Sequence, residues 1–162
     1  TQLASGVFEQ LLPSVQSHLR LICTDANVAK AKNYQAEESA LIYFIGMHAI
    51  YTRNWDSAVK VKVMSAYAAH MASKIVADDF DQPILFFQDR LSEYRGKLME
   101  ETDRVPPSKM PMNGVINHFL DNLEAEKKKR GALQIALNLQ LLSQIKAIAE
   151  VLDEMNAKFK IV

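Results

Sequence analysis

Apolar residues recur along much of this chain at steps of three and four, the spacing that lines one face of an α-helix. Phe8, Leu12, Val15, Leu19 and Ile22 form the first such face, over residues 5–23. Pro13 falls inside it. A proline lacks the amide donor and clashes with the preceding turn, so a kink or two short helices are expected there. Residues 24–27 read as a stop followed by a cap for the next helix. The second segment, residues 27–53, begins polar and becomes apolar nearly all round from Leu41 to Tyr51, which predicts burial on most sides.

Asn54 reads as the N-cap of a third helix over residues 55–78. Val59, Val61 and Val63 alternate with lysines as in a strand, but Met64, Ala68, Met71 and Ile75 return to helical spacing. Asp81 and Pro83 open the fourth segment, whose face is Ile84, Phe87, Leu91, Tyr94 and Leu98, with fraying expected near Thr102. Residues 104–111 hold three of the five prolines and form the one Pro-rich internal connection. Val115, Ile116, Phe119, Leu120 and Leu123 make the fifth face, after which the chain turns polar. Glu124 with Lys128, and Glu126 with Arg130, have the spacing of four-apart helix pairs.

The last segment, residues 131–162, carries the longest seam: Leu141, Ile145, Ile148, Leu152, Met155 and Phe159. Leu137, Leu142 and Ala149 broaden it. Its start is ambiguous. If the helix ran unbroken through Gly131, segments five and six would form one rod of roughly 45 residues, near 70 Å long.

These elements predict an all-α bundle of about five or six helices, largely antiparallel, with a long C-terminal helix. A length of 162 residues fits one domain spanning the chain. Five glycines and five prolines leave too little punctuation for many short strands. With 19 basic and 19 acidic residues the net charge is zero, which argues against a nucleic-acid-tracking surface and does little to oppose self-association. The single cysteine, Cys23, excludes an intramolecular disulfide and points to a reducing compartment, cytoplasm or nucleus. No wholly apolar run approaches the roughly 20 residues of a membrane span.

Candidate chemistry is sparse. The basic run Lys127, Lys128, Lys129 and Arg130 invites a phosphate-binding reading, but Glu124 and Glu126 flank it and no aromatic residue interleaves it, so a solvated face is expected. His18, His48, His70 and His118 lie in four segments, and none has an acid three residues before it, so no carboxylate-bridged metal motif occurs. His48 and His70 have the apolar neighbours of buried residues. Asp78, Asp79 and Asp81 lack the glycine and closing glutamate of a calcium loop. Glu37 and Glu38 read as solvent-facing, and Met110 and Met112 as exposed in the Pro-rich connection.

The sequence therefore predicts no enzyme, no metal and no cofactor. It predicts a helical interaction or oligomerisation domain, acting on a protein partner or a second copy through the seam from Leu141 to Phe159. A second possibility is a regulatory domain enclosing a small ligand between helices, lined by Tyr43, Phe44, His48, Tyr51, Trp55, Tyr67, His70 and Met71.

Overall fold

The fold is an all-α bundle, seen in a computed structural model that describes residues 2–74 and 83–159. Six helices follow in order: α1 Gln2–Asp25, α2 Tyr34–Tyr51, α3 Ser57–Lys74, α4 Pro83–Thr102, α5 Asn113–Asn122 and α6 Arg130–Phe159. No strand occurs among the described residues. Asp78, Asp79 and Asp81, and the cap expected at Asp81, lie outside them.

The organising element is α2, which packs against all five other helices. Its run from Ala40 to Ile50 contains no charged side chain and is buried except at partly buried His48. A helix apolar all round is stable only when surrounded, and here it is. The long α6, which carries the longest seam in the sequence, is one of its neighbours.

The first helix is continuous through Pro13, so the expected division does not occur. Both Pro13 and Glu9, whose carbonyl loses its amide partner, are exposed, so water can satisfy that carbonyl. The expected start of α2 at Asn27 is also corrected. Asn27 adopts φ 65°, and the amides of Asn27 and Val28 donate to Thr24 O and Cys23 O at 3.0 and 2.9 Å. This pattern closes a helix through a left-handed residue, with Val28 and Cys23 as its apolar contact. Turns then carry the chain to Tyr34. The third helix begins two residues later than expected; Asp56, not Asn54, offers the first carbonyl, to Lys60 at 3.0 Å.

The same device answers the question of the rod. Glu124 adopts φ 53°, its amide donates to Asp121 O, and that of Ala125 donates to Leu120 O. The break therefore falls at Glu124, and Gly131 lies in the first turn of α6. Between them Lys127–Lys129 form a single 3-10 turn. The expected Glu124–Lys128 and Glu126–Arg130 pairs do not form, because no α-helix spans them. Glu126 meets Lys129 at 3.7 Å instead, and Arg130 meets Asp121 at 2.6 Å. After the break α6 folds back on α5: Gln134 bonds Asn117, and Asn138 Nδ2 donates to Asn113 Oδ1 at 2.9 Å. Asn33 at the start of α2 donates to Asn122 O, and Arg53 beyond its end meets Asp153, so α2 and α6 run in the same direction.

Candidate functional site

The aromatic residues expected around a ligand are brought together, but as a filled core. Tyr67 is fully buried, and its hydroxyl donates to Ile42 O at 2.7 Å. Tyr43 stacks between Tyr67 and Phe87 at centroid distances of 5.9 and 5.0 Å, and Phe8 meets Tyr67 edge-on at 4.8 Å. Phe44, His70 and Met71 are buried alongside. Burial pushes the Tyr67 hydroxyl well above the ordinary tyrosine range and also raises that of Tyr43, where the Arg95 charge opposes it. Burial, assisted by the Arg95 charge, lowers His48. Tyr51 projects to solvent, with Lys60 and Arg95 over its ring at 5.6 and 5.4 Å, and Trp55 is partly buried.

The seam on α6 is likewise used within the chain. Leu141, Ile148 and Leu152 are buried in the core, with Ile145 packed at its edge and Met155 partly buried. Phe159 ends the helix, and its side chain is outside the described set. Gln144, on the same side, donates to Val15 O of α1 at 3.2 Å.

The opposite face of α6 is also apolar. Ile135, Leu139 and Leu142 are 54%, 66% and 41% exposed. At 100° per residue they fall within an arc of about 60°, roughly opposite the buried stripe. Leu142 thus belongs to the outer face instead of broadening the seam. From Gly131 to Ile145 no side chain is charged. Being apolar on two faces, α6 alone among the described helices has the length and hydropathy of a membrane span, although its seam is buried within the bundle.

The two glutamates expected in solvent are buried, because each finds an arginine. Glu38 accepts from Arg20 Nη2 at 2.7 Å, Arg20 Nε at 3.2 Å and Gln16 Nε2 at 2.8 Å. Glu37 points the other way and accepts from Arg90 Nη2 at 2.8 Å and Nε at 3.0 Å, and from Asn122 Nδ2 at 3.3 Å. Adjacent residues on a helix lie about 100° apart, which is how neighbours serve α1 and α4 separately. Arg90 continues to Glu93 at 3.0 Å, and Glu93 Oε2 lies 2.7 Å from His118 Nε2. Hydrogen bonding to Glu37 raises Arg90 further above its already high value. Burial acts to raise Glu93, but the His118 and Arg90 contacts outweigh it and leave its carboxyl lowered.

The loop between α1 and α2 borders an open cleft of about 530 Å³ lined by Arg20, Lys30, Lys32, Tyr34 and Gln35 among others. Sequence reading missed this site because its cations lie in a stretch that reads as an ordinary solvated helix. Tyr34 is buried. Its hydroxyl is close to the Glu38 carboxylate and the Cys23 thiol, but makes no well-formed hydrogen bond with either. Burial pushes the Cys23 thiol up to about 11, with Tyr34 opposing the shift, so Cys23 is an inert core thiol. Met112 is buried and Met110 half-buried, which removes Met112 from the exposed contacts expected in the connection. Lys127, Lys128 and Lys129 are exposed, while Arg130 turns back to Ala125 O at 2.8 Å. No group of three metal-ligating side chains occurs among the described residues. No protein-family model, curated protein or solved structure matches the chain.

Proposed function

We propose that this domain is a non-enzymatic helical interaction module that pairs with a second copy of itself through the outer face of α6. The observation that carries this reading is the exposed row Ile135, Leu139 and Leu142 within a stretch free of charge. Isolated exposed aliphatic residues are ordinary, whereas three on successive turns of one helix form a continuous ridge.

A second copy fits because an uncharged ridge meets itself without like-charge repulsion, and the chain's zero net charge adds none at long range. A two-fold axis near Leu139 would set Ile135 of one copy opposite Leu142 of the other, the self-complementary arrangement of a symmetric dimer. The buried seam from Leu141 to Leu152 then holds α6 on the bundle while its back carries the contact. Three side chains cover less than a standard interface, so the association is expected to be weak and concentration-dependent.

Sedimentation equilibrium tests this. The expected result is a mass that rises with concentration through hundreds of micromolar and stays monomeric in Leu139→Glu with unchanged helicity. A strict monomer over that range, or self-association undiminished in Leu139→Glu, would overturn it.

A further inference from the structure

We infer that the basic run Lys127–Lys129 recognises Glu150 of the second copy, and that this charge contact fixes an antiparallel pairing of the two α6 helices. The inference rests on the proposed pairing through Ile135, Leu139 and Leu142 and assigns the charges at the two ends of that ridge. Lys127, Lys128 and Lys129 are all exposed. Lys129 meets Glu126 at 3.7 Å, whereas Lys127 and Lys128 have no ion pair among the described residues. The other end of the same face is acidic. Glu150 stands eleven residues beyond Leu139, three helical turns on and within about 20° of its direction. Its side chain is 64% exposed and meets Lys146 only at 3.9 Å, a long solvated contact that leaves the carboxylate open to a second cation. Glu154, one turn further, is exposed as well.

Lys128 stands the same eleven residues before Leu139. A two-fold axis at Leu139 therefore sets the basic end of each copy opposite Glu150 of the other, twice per dimer. Successive residues of the 3-10 turn Lys127–Lys129 lie about 120° apart, so one of the three lysines faces the partner whichever way the turn is rotated. Between the charges, Ala132 and Lys146 each stand seven residues from Leu139, and the small Ala132 leaves room for the Lys146 stem of the other copy. Eleven residues rise about 17 Å. Helices crossing at about 20° diverge by about 6 Å at that distance, within reach of a lysine and a glutamate, whereas a crossing near 50° parts them by about 13 Å. The contact thus commits the pair to the shallow crossing. A parallel pairing would set the lysines against the same lysines and Glu150 against Glu150, so like-charge repulsion excludes it.

Charge reversal in the full chain, followed by sedimentation equilibrium at low and high salt, tests this. Glu150→Lys alone and Lys127→Glu/Lys128→Glu alone are each expected to weaken self-association about fivefold or more, since each places like charges opposite at both ends. The triple variant that combines them restores opposite charges and is expected to return to near the parent's strength. Added salt is expected to weaken association of the parent and to strengthen that of the two reversed variants. All three positions are exposed, so the variants are expected to keep the parent's helicity. Self-association that Leu139→Glu abolishes but the reversals leave unchanged would overturn the charge contact and leave the α6 pairing standing. A triple variant as weak as the reversed ones would also overturn the charge contact. A parent that stays strictly monomeric would overturn both.

Discussion

Gly46 of α2 lies directly against the ring of Tyr67 in α3, so closely that a Cβ at position 46 would overlap the aromatic carbons. The ring has nowhere to go. Tyr43 and Phe8 hold its neighbouring sides, and its hydroxyl is tied to Ile42 O. Gly46→Ala gains helix propensity of up to about 1 kcal/mol, but overpacking of this kind costs about 1–3 kcal/mol and is expected to win. Urea unfolding should show a net loss of about 1–2 kcal/mol. Any net stabilisation would mean that the two helices can part cheaply. Tyr67→Phe removes only the hydroxyl and is expected to cost about 1 kcal/mol.

The glutamate pair at the start of α2 predicts a second asymmetry. Arg90→Met leaves the Glu37 carboxylate buried with only the long contact from Asn122. Removing one partner of a buried pair typically costs about 3–5 kcal/mol. Replacing both, as Glu37→Leu/Arg90→Met, removes the stranded charge and should recover most of that loss. Equilibrium denaturation of the two variants decides it. A loss below about 1 kcal/mol in the single variant would show that water reaches Glu37.

Stability should also fall in acid, in two windows. His48 is lowered in the folded state, first by burial and then by the Arg95 charge. The unfolded chain therefore binds the proton more readily. The His48 contribution is complete above the ordinary histidine value of about 6.5 and is lost as pH falls below it toward the folded value. Glu93 is lowered too, so its contribution is present above the ordinary glutamate value of about 4.3 and is lost as pH falls through its folded value. Urea midpoints measured from pH 7.5 to 3 should decline less steeply in His48→Gln than in the parent across the upper window. Glu93→Gln should flatten the lower window instead. A parent midpoint that stays level across the upper window would contradict the burial of His48.

Much of the fold was legible because helix faces write themselves as periodic apolar residues: the face of α5 is buried as its spacing predicts, that of α1 is buried from Phe8 to Leu19, and that of α4 is buried at Phe87, Leu91 and Tyr94. The all-apolar stretch of α2 announced its central place. What the pattern could not encode was partnership. Glu37 and Glu38 look solvated until Arg90 and Arg20, distant in sequence, supply their counter-charges. The seam from Leu141 to Leu152 was visible, but periodicity alone does not say whether a seam faces its own bundle or another chain. The cleft around Lys30 and Lys32 depends on a loop that replaced the expected start of a helix, and the signal for that loop was Asn27, a residue tolerant of the left-handed conformation.

The position of the break between α5 and α6 yields a prediction whose sign discriminates. Glu124 occupies the left-handed position at φ 53°, where a side chain is strained and glycine is not. Glu124→Gly should therefore stabilise the protein, by about 0.5–1 kcal/mol. Gly131 sits in the first turn of α6 with nothing within 4 Å of the place a Cβ would occupy. Gly131→Ala should add helix propensity and reduce the freedom of the unfolded chain, also stabilising by about 0.5–1 kcal/mol. Were Gly131 itself the left-handed residue ending a helix, the alanine would be strained and the change would run the other way by about 1 kcal/mol. Thermal and urea unfolding of both single variants separate the two geometries. A gain in each places the break at Glu124, and a loss in Gly131→Ala would return it to Gly131.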